Sequence, residues 1–270
     1  MANALFIGKV YYRFDEIPST NDYARELLTK SKPPEGTAIQ AASQSAGRGQ
    51  YGSRWLSTPG QNLLLSIILY PTWLAAANQF RLAEAVALAV SDTVSGQIQA
   101  AKPRDHGGRP QNVPQQTGMP TIKWPNDIYL GDRKTAGILI QNNVSGQFLQ
   151  SSVVGIGLNA NQTAFPPDVL KATSLALETG AMFDLEALAE ALFVCLEQRY
   201  LQLKNGQTTA LRAEYHQHLY GLGEVRTFAR ADGSRFTGAI QRVADDGRVL
   251  IHTNAGEEAF GLKEVVFEGF

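Results

Sequence analysis

Cysteine is almost missing from this chain. Cys195 stands alone, so no internal disulfide framework can form, and the composition suits a reducing compartment. An excess of one charge is missing too. The formal net charge of −1 over 270 residues leaves no global basic field for non-specific nucleic-acid binding. No apolar run reaches the length of a membrane span. The first residues, MANALFIGKVYYRF, lack the basic region and small-residue cleavage site of a signal peptide. A cytoplasmic protein is expected. Histidine is scarce and scattered. His216 and His218 are two apart in a segment that reads as helix, which sends them to different faces. With His106 in a polar stretch and His252 near the end, solvated surface histidines are expected rather than a metal centre. No GxxxxGK[ST] string occurs, which excludes a P-loop enzyme, and no internal repeat is present.

Glycine and arginine, by contrast, are concentrated in one place. Gln44 to Trp55 reads QSAGRGQYGSRW. It lies between two strand-like segments, Thr37–Ser43 (TAIQAAS) and the continuous apolar run Asn62–Tyr70 (NLLLSIILY). Glycines let backbone N–H groups converge on an anion, and arginine adds a forked permanent charge. An ordinary surface loop fits this segment alone equally well.

Taken in order, Leu5–Phe14 reads as a strand, and Ser19 or Thr20 caps a helix with apolar residues at 23, 24, 27 and 28. Helical spacing recurs over Gln79–Val94. Residues 99–120 are rich in Pro, Gly and Gln and read as a mobile surface insertion rather than a lid. Thr121–Asp127 enters a strand that breaks at Pro125. Strands follow at 128–130, 134–141 and 147–158. Asp184–Leu203 is an amphipathic helix capped by Asp184, with Cys195 on its apolar stripe as a structural thiol, and Thr209–Tyr220 is a shorter helix. From Gly221 the texture changes to short β-like runs at 224–229, 234–243, 249–253 and 258–267, punctuated by turn residues, as in a small closed barrel. The expectation is an α/β (α+β) chain with a largely antiparallel sheet over 1–220, and a second domain over 221–270.

Four segments occur in a telling order: Ser19-Thr20-Asn21, GRGQYGSRW at 47–55, KWPND at 123–127 with KTAGI at 134–138, and GIGLN at 155–159. In this set the chain resembles the biotin protein ligases, over nearly its whole length. The resemblance implies a class II synthetase-like catalytic domain followed by a small SH3-like barrel. It implies that biotin and ATP form biotinyl-5′-AMP, which then acylates a lysine of a biotin carboxyl carrier domain. Magnesium is implied with ATP, without a protein-only site. Carried over by position, Ser19, Thr20 and Gln44 meet the ureido ring, which needs both donors and acceptors, and Asn21 belongs to the same biotin-binding set. Arg48, Gly49 and Gln50 close over the carboxylate, with Gly47 and Arg54 on the nucleotide side. Lys134, with Gly137 in the same biotin-binding run, meets the carboxylate and α-phosphate. Trp55 flanks the adenylate, and Asn126 and Asn159 lie near nucleotide and metal. Asp127 either orients or deprotonates the incoming lysine, or serves only the turn after Pro125.

There are departures. Some members of the family carry arginine where this chain has Gln50 and Ser53, so weaker retention of the adenylate is expected. Members that repress transcription carry an N-terminal helix-turn-helix. Only 18 residues precede Ser19, so a monofunctional ligase without specific DNA binding is expected, as monomer or homodimer. The loop at 47–55 is expected to order on ligand binding. Lipoate and octanoate ligases share the fold but resemble a different glycine signature. A decayed, non-catalytic sensor would be expected to lose Arg48 or Lys134, and both are present.

Overall fold

The computed structural model describes residues 4–101, 118–167, 169 and 171–268. Most of the expected insertion, residues 102–117 with His106, lies outside the described residues.

The chain opens with a βαβ unit: β1 (Tyr11–Ile17), α1 (Thr20–Lys30) and β2 (Ala38–Gln44), with β1 and β2 parallel. β3 (Leu63–Leu69) follows, then α2 (Phe80–Ala101), β4 (Thr121–Lys123), β5 (Asp127–Leu130), β6 (Arg133–Ser145) and β7 (Phe148–Leu158). The sheet order is β1-β2-β3-β7-β6-β5-β4, and every neighbouring pair except β1–β2 is antiparallel. Three helices complete this part: α3 (Leu175–Thr179), α4 (Leu185–Lys204) and α5 (Thr208–Gln217).

β3 is buried along its whole length because both faces of the sheet are covered. Leu63, Leu65, Ile67 and Leu69 join the main core with Leu82, Val86 and Val90 of α2 and Leu188, Leu192 and Leu196 of α4. Ile68 points the other way, onto Ala24 of α1. Helix α2 outruns its expected end at Val94 because Ile98 continues the apolar stripe and is itself buried. Asp184 caps α4 as expected, accepting from the N–H groups of Glu186 and Ala187. Cys195 is half-buried on α4, and burial pushes its thiol pKa up, as suits a structural thiol.

The first strand is a correction: it starts at Tyr11, not Leu5. The backbone N–H groups of Leu5, Phe6 and Ile7 instead donate to the Glu197 carboxylate, at 2.6, 2.8 and 3.0 Å. Gly8, at φ 76°, then turns the chain into β1.

The C-terminal part is a second, antiparallel sheet: β8 (Val225–Arg230), β9 (Arg235–Val243), β10 (Val249–Thr253), β11 (Gly256–Phe260) and β12 (Val265–Phe267). Its order is β11-β10-β9-β8-β12. The expected single run at 258–267 is split, because a turn containing Lys263 at φ 68° carries the chain across to the opposite edge. Trp124 ties the two sheets together. Its Nε1 donates to Gly247 O at 2.9 Å, and its ring stacks on Phe267. His216 does the same from α5, with Nε2 3.1 Å from Val243 N, and it is half-buried. His218 is half-buried too, against Glu214 O. Neither is the solvated group expected, whereas His252 is exposed. Among the described residues, no helix is long and apolar enough to cross a membrane.

Candidate active site

The βαβ unit builds one wall of the site. Ile17 and Gln44 are register partners at the ends of the parallel pair. The helix that follows β1 therefore starts beside the end of β2. Ser19 is the N-cap and accepts from Asp22 N. Gln44 Oε1 accepts from Thr20 N at 2.7 Å and lies 3.1 Å from Thr20 Oγ1. Ser19, Thr20 and Asn21 are all buried, so polar, uncharged groups sit in a place where water is scarce.

The Gly/Arg loop leaves β2 as a narrow hairpin. Arg48 and Arg54 form a bridge, and Gly49 N donates to Ser53 O at 2.8 Å. Arg48 Nε is 2.7 Å from Asp22 Oδ2, which pins the loop to α1. Trp55 closes the hairpin, its N–H donating to Gly47 O at 3.1 Å. Its ring lies flat on the sheet. A Cβ at Gly157 would fall 2.4 Å from the indole, and one at Gly137 2.8 Å from it. These glycines are register partners on β7 and β6, so the floor beneath the ring is bare backbone. Trp55 Nε1 is buried without a hydrogen-bond partner.

The opposite wall comes from β5 and β6. Lys134 Nζ is 2.6 Å from Asp127 Oδ1 and 5.5 Å from the Trp55 ring centroid. Asn126 is spent on backbone: its Nδ2 donates to Ile138 O, and its own carbonyl accepts from Ile138 N at 3.1 Å. Lys123, nearby, is half-buried, and burial lowers its pKa.

These walls enclose a cavity of about 230 Å³. It is lined by Ser19, Thr20, Asn21, Gln44, Arg48, Gly49, Gln50, Arg54, Trp55, Asn126, Asp127, Lys134 and Gly137, all named from sequence. Gly47 borders an adjacent cavity on the other side of the loop. Asn159 borders neither. It is buried, donates from Nδ2 to Thr173 O at 3.0 Å, and takes up Thr135 O and Leu175 N with its backbone, so it braces the strand that carries Lys134. Sequence reasoning did not assign Ser53, Leu65, Ile138, Leu139, Gly155, Ile156 or Gly157, which complete the lining. The alternation of GIGLN did hold a signal, since residues 155 and 157 must share one face of a strand.

The cavity lining divides into neutral polar groups, Ser19, Thr20 and Gln44, and cationic ones, Arg48, Arg54 and Lys134, of which Arg48 is paired with Asp22 and Lys134 with Asp127. That division suits a ligand with a polar neutral head and a carboxylate tail that meets a phosphate. The sequence model of the Biotin/lipoate A/B protein ligase family matches residues 13–159, and the chain belongs to that family. Among its relatives, the Bifunctional ligase/repressor BirA of Bacillus subtilis is 32% identical over 93% of this chain and 71% of its own length. The Biotin--[acetyl-CoA-carboxylase] ligase of Paracoccus denitrificans is 29% identical over 93% of this chain and 98% of its own. The fold matches that of the biotin protein ligase from Aquifex aeolicus solved with biotin and ATP, with a TM-score of 0.73 at 24% identity, covering 96% of this chain and 98% of that one.

Proposed function

We propose that this protein is a biotin protein ligase. It activates the biotin carboxylate with ATP to biotinyl-5′-AMP and transfers the biotinyl group to a lysine of a biotin carboxyl carrier domain. The observation that carries this reading is that one cavity is lined both by neutral polar groups, Ser19, Thr20 and Gln44, and by charged ones, the Lys134–Asp127 pair with Arg48 and Arg54.

In the first step a biotin carboxylate oxygen attacks the α-phosphorus, and pyrophosphate leaves. Negative charge builds on the phosphoryl oxygens. Lys134 and Arg48 neutralise it in a site that Trp55 and the loop shield from water. In the second step the acceptor amine attacks the acyl carbon, and AMP leaves. Asp127 holds Lys134 in place until phosphate takes that cation, and it then accepts the proton of the attacking amine. Magnesium accompanies the triphosphate. Asn159, expected near the metal, borders neither cavity and donates from Nδ2 to Thr173 O, so the ion is read as carried by the triphosphate. We read residues 1–220 as the catalytic domain and 221–270 as an SH3-like domain, working in the cytoplasm where ATP and carrier meet.

The test is incubation with MgATP, biotin and an apo carrier domain, followed by intact-mass measurement. Addition of one biotinyl group, abolished when the carrier lysine is replaced by arginine, is the expected result. Modification by lipoate or octanoate but not biotin would overturn the reading.

A further inference from the structure

Ser66 is the single polar residue in β3, LLLSIIL, and it is fully buried. It does not border the cavity, although its neighbour Leu65 does. Its hydroxyl sits behind the lining, 2.7 Å from Thr20 Oγ1 and 2.5 Å from Asn21 Oδ1. Ser66 and Gly155 are register partners on β3 and β7. A Cβ at Gly155 would fall 2.1 Å from Asn21 Oδ1, so the two strands together make a cradle for the Asn21 side chain.

A serine hydroxyl carries one proton, so only one of those two contacts receives it. Asn21 Nδ2 faces two acceptors, Leu139 O at 3.4 Å and Gln141 Oε1 at 3.3 Å, which fixes Oδ1 toward Ser66. Asn21 Oδ1 can only accept, so the Ser66 proton goes there. The close Oγ–Oγ contact then requires the Thr20 proton to lie between the two hydroxyls. Gln44 Oε1 takes the Thr20 backbone N–H at 2.7 Å and stands 3.1 Å from Thr20 Oγ1, so the shorter, 2.7 Å contact with Ser66 takes the Thr20 hydroxyl proton. Thr20 Oγ1 is left offering lone pairs, and Gln44 offers the N–H groups of its amide.

We propose that Ser66 is a positioning residue that orients the Thr20 hydroxyl as a hydrogen-bond acceptor for a ureido N–H of the ligand. It acts through Thr20 and Asn21 without touching the ligand. This inference rests on the biotin reading above. It goes beyond it by assigning the direction of a hydrogen bond and the residue that sets it.

The experiment measures biotin binding to the full chain by calorimetry, with wild type, S66A and S66C. S66A is expected to weaken biotin about tenfold, while KM for ATP and the melting temperature stay close to wild type. S66C keeps a weak donor of similar size and is expected to recover part of the loss. Two cyclic-carbamate analogues, each with one ureido N–H replaced by oxygen, give a readout that a packing role would not move. Wild type should reject one of them strongly, and S66A should reject it less, because its Thr20 proton is free to donate to the ring oxygen. Unchanged biotin affinity in S66A, or unchanged discrimination between biotin and both analogues, would overturn the role of Ser66 and leave the ligase reading intact. Should S66A fail to fold, the same two readouts on S66C decide. A wild type that binds no biotin would sink both.

Discussion

Replacing Glu84 by glutamine should make the protein more stable, and more so as pH rises. Glu84 sits on α2 with 1% of its surface exposed, and neither carboxylate oxygen has a hydrogen-bond partner. The groups around it come from three elements. Arg81 is on α2, Arg212 and Tyr215 are on α5, and Asp245 follows β9. Arg212 Nη1 approaches only to 3.9 Å and is shared with Asp245, Arg212 Nη2 donates to Val243 O, and Arg81 is 3.1 Å from Asp245. Burial therefore dominates and pushes the Glu84 pKa from its ordinary 4.5 to about 7, with Arg212 and Arg81 opposing and Asp245 assisting. Below the unfolded value both states hold the proton, and nothing is lost. Between the two values the unfolded chain ionises while the folded one does not, so stability falls with rising pH. Above about pH 7 the loss is complete, on the order of 3 kcal/mol. Glutamine cannot ionise. In urea unfolding at about pH 5.5 and about pH 8.5, the advantage of E84Q over wild type should widen by about 2 kcal/mol. An advantage that stays constant across that range, or a variant destabilised equally at both, would refute the argument.

Four further outcomes are expected. Lys134→Met should lower biotin-dependent ATP–pyrophosphate exchange on the order of 100-fold, because it removes charge at the reacting phosphate; a change within about threefold would exclude that role. Gly157→Ala places a methyl group 2.4 Å from the Trp55 indole, so the ring must move, and KM for ATP should rise with little effect on the melting temperature; unaltered kinetics would mean Trp55 does not border the nucleotide. Trypsin cleavage at Arg48 and Arg54 should slow when biotin and ATP are added, as the loop closes; equal rates with and without ligand would contradict loop closure. With Gln50 and Ser53 in the loop, free biotinyl-AMP should accumulate when no carrier is present, and its absence in chromatography would show that those positions do not weaken retention.

Local patterns made most of the fold legible. The period-four stripe of α2, the Asp184 cap and the apolar run of β3 each depend on neighbours in the chain. What escaped depends on distant partners. Leu5–Ile7 reads as strand until Glu197, far along the chain, takes its N–H groups. The split between β11 and β12 rests on pairing at opposite edges of one sheet. Short α3, with its Ser174 cap, has too few residues for a periodic signal. In the site, residues with side-chain chemistry were readable as motifs. Gly155 and Gly157 act by having no side chain, Ser66 acts from behind the lining, and both roles appear only once β3, β6 and β7 are aligned in register.

The most direct test of the account is ATP–pyrophosphate exchange measured in parallel with biotin, lipoate and octanoate. Exchange with biotin alone is expected, because Ser19, Thr20 and Gln44 supply polar contacts that an acyl chain cannot use. Exchange with lipoate or octanoate but not biotin would contradict the reading of the cavity.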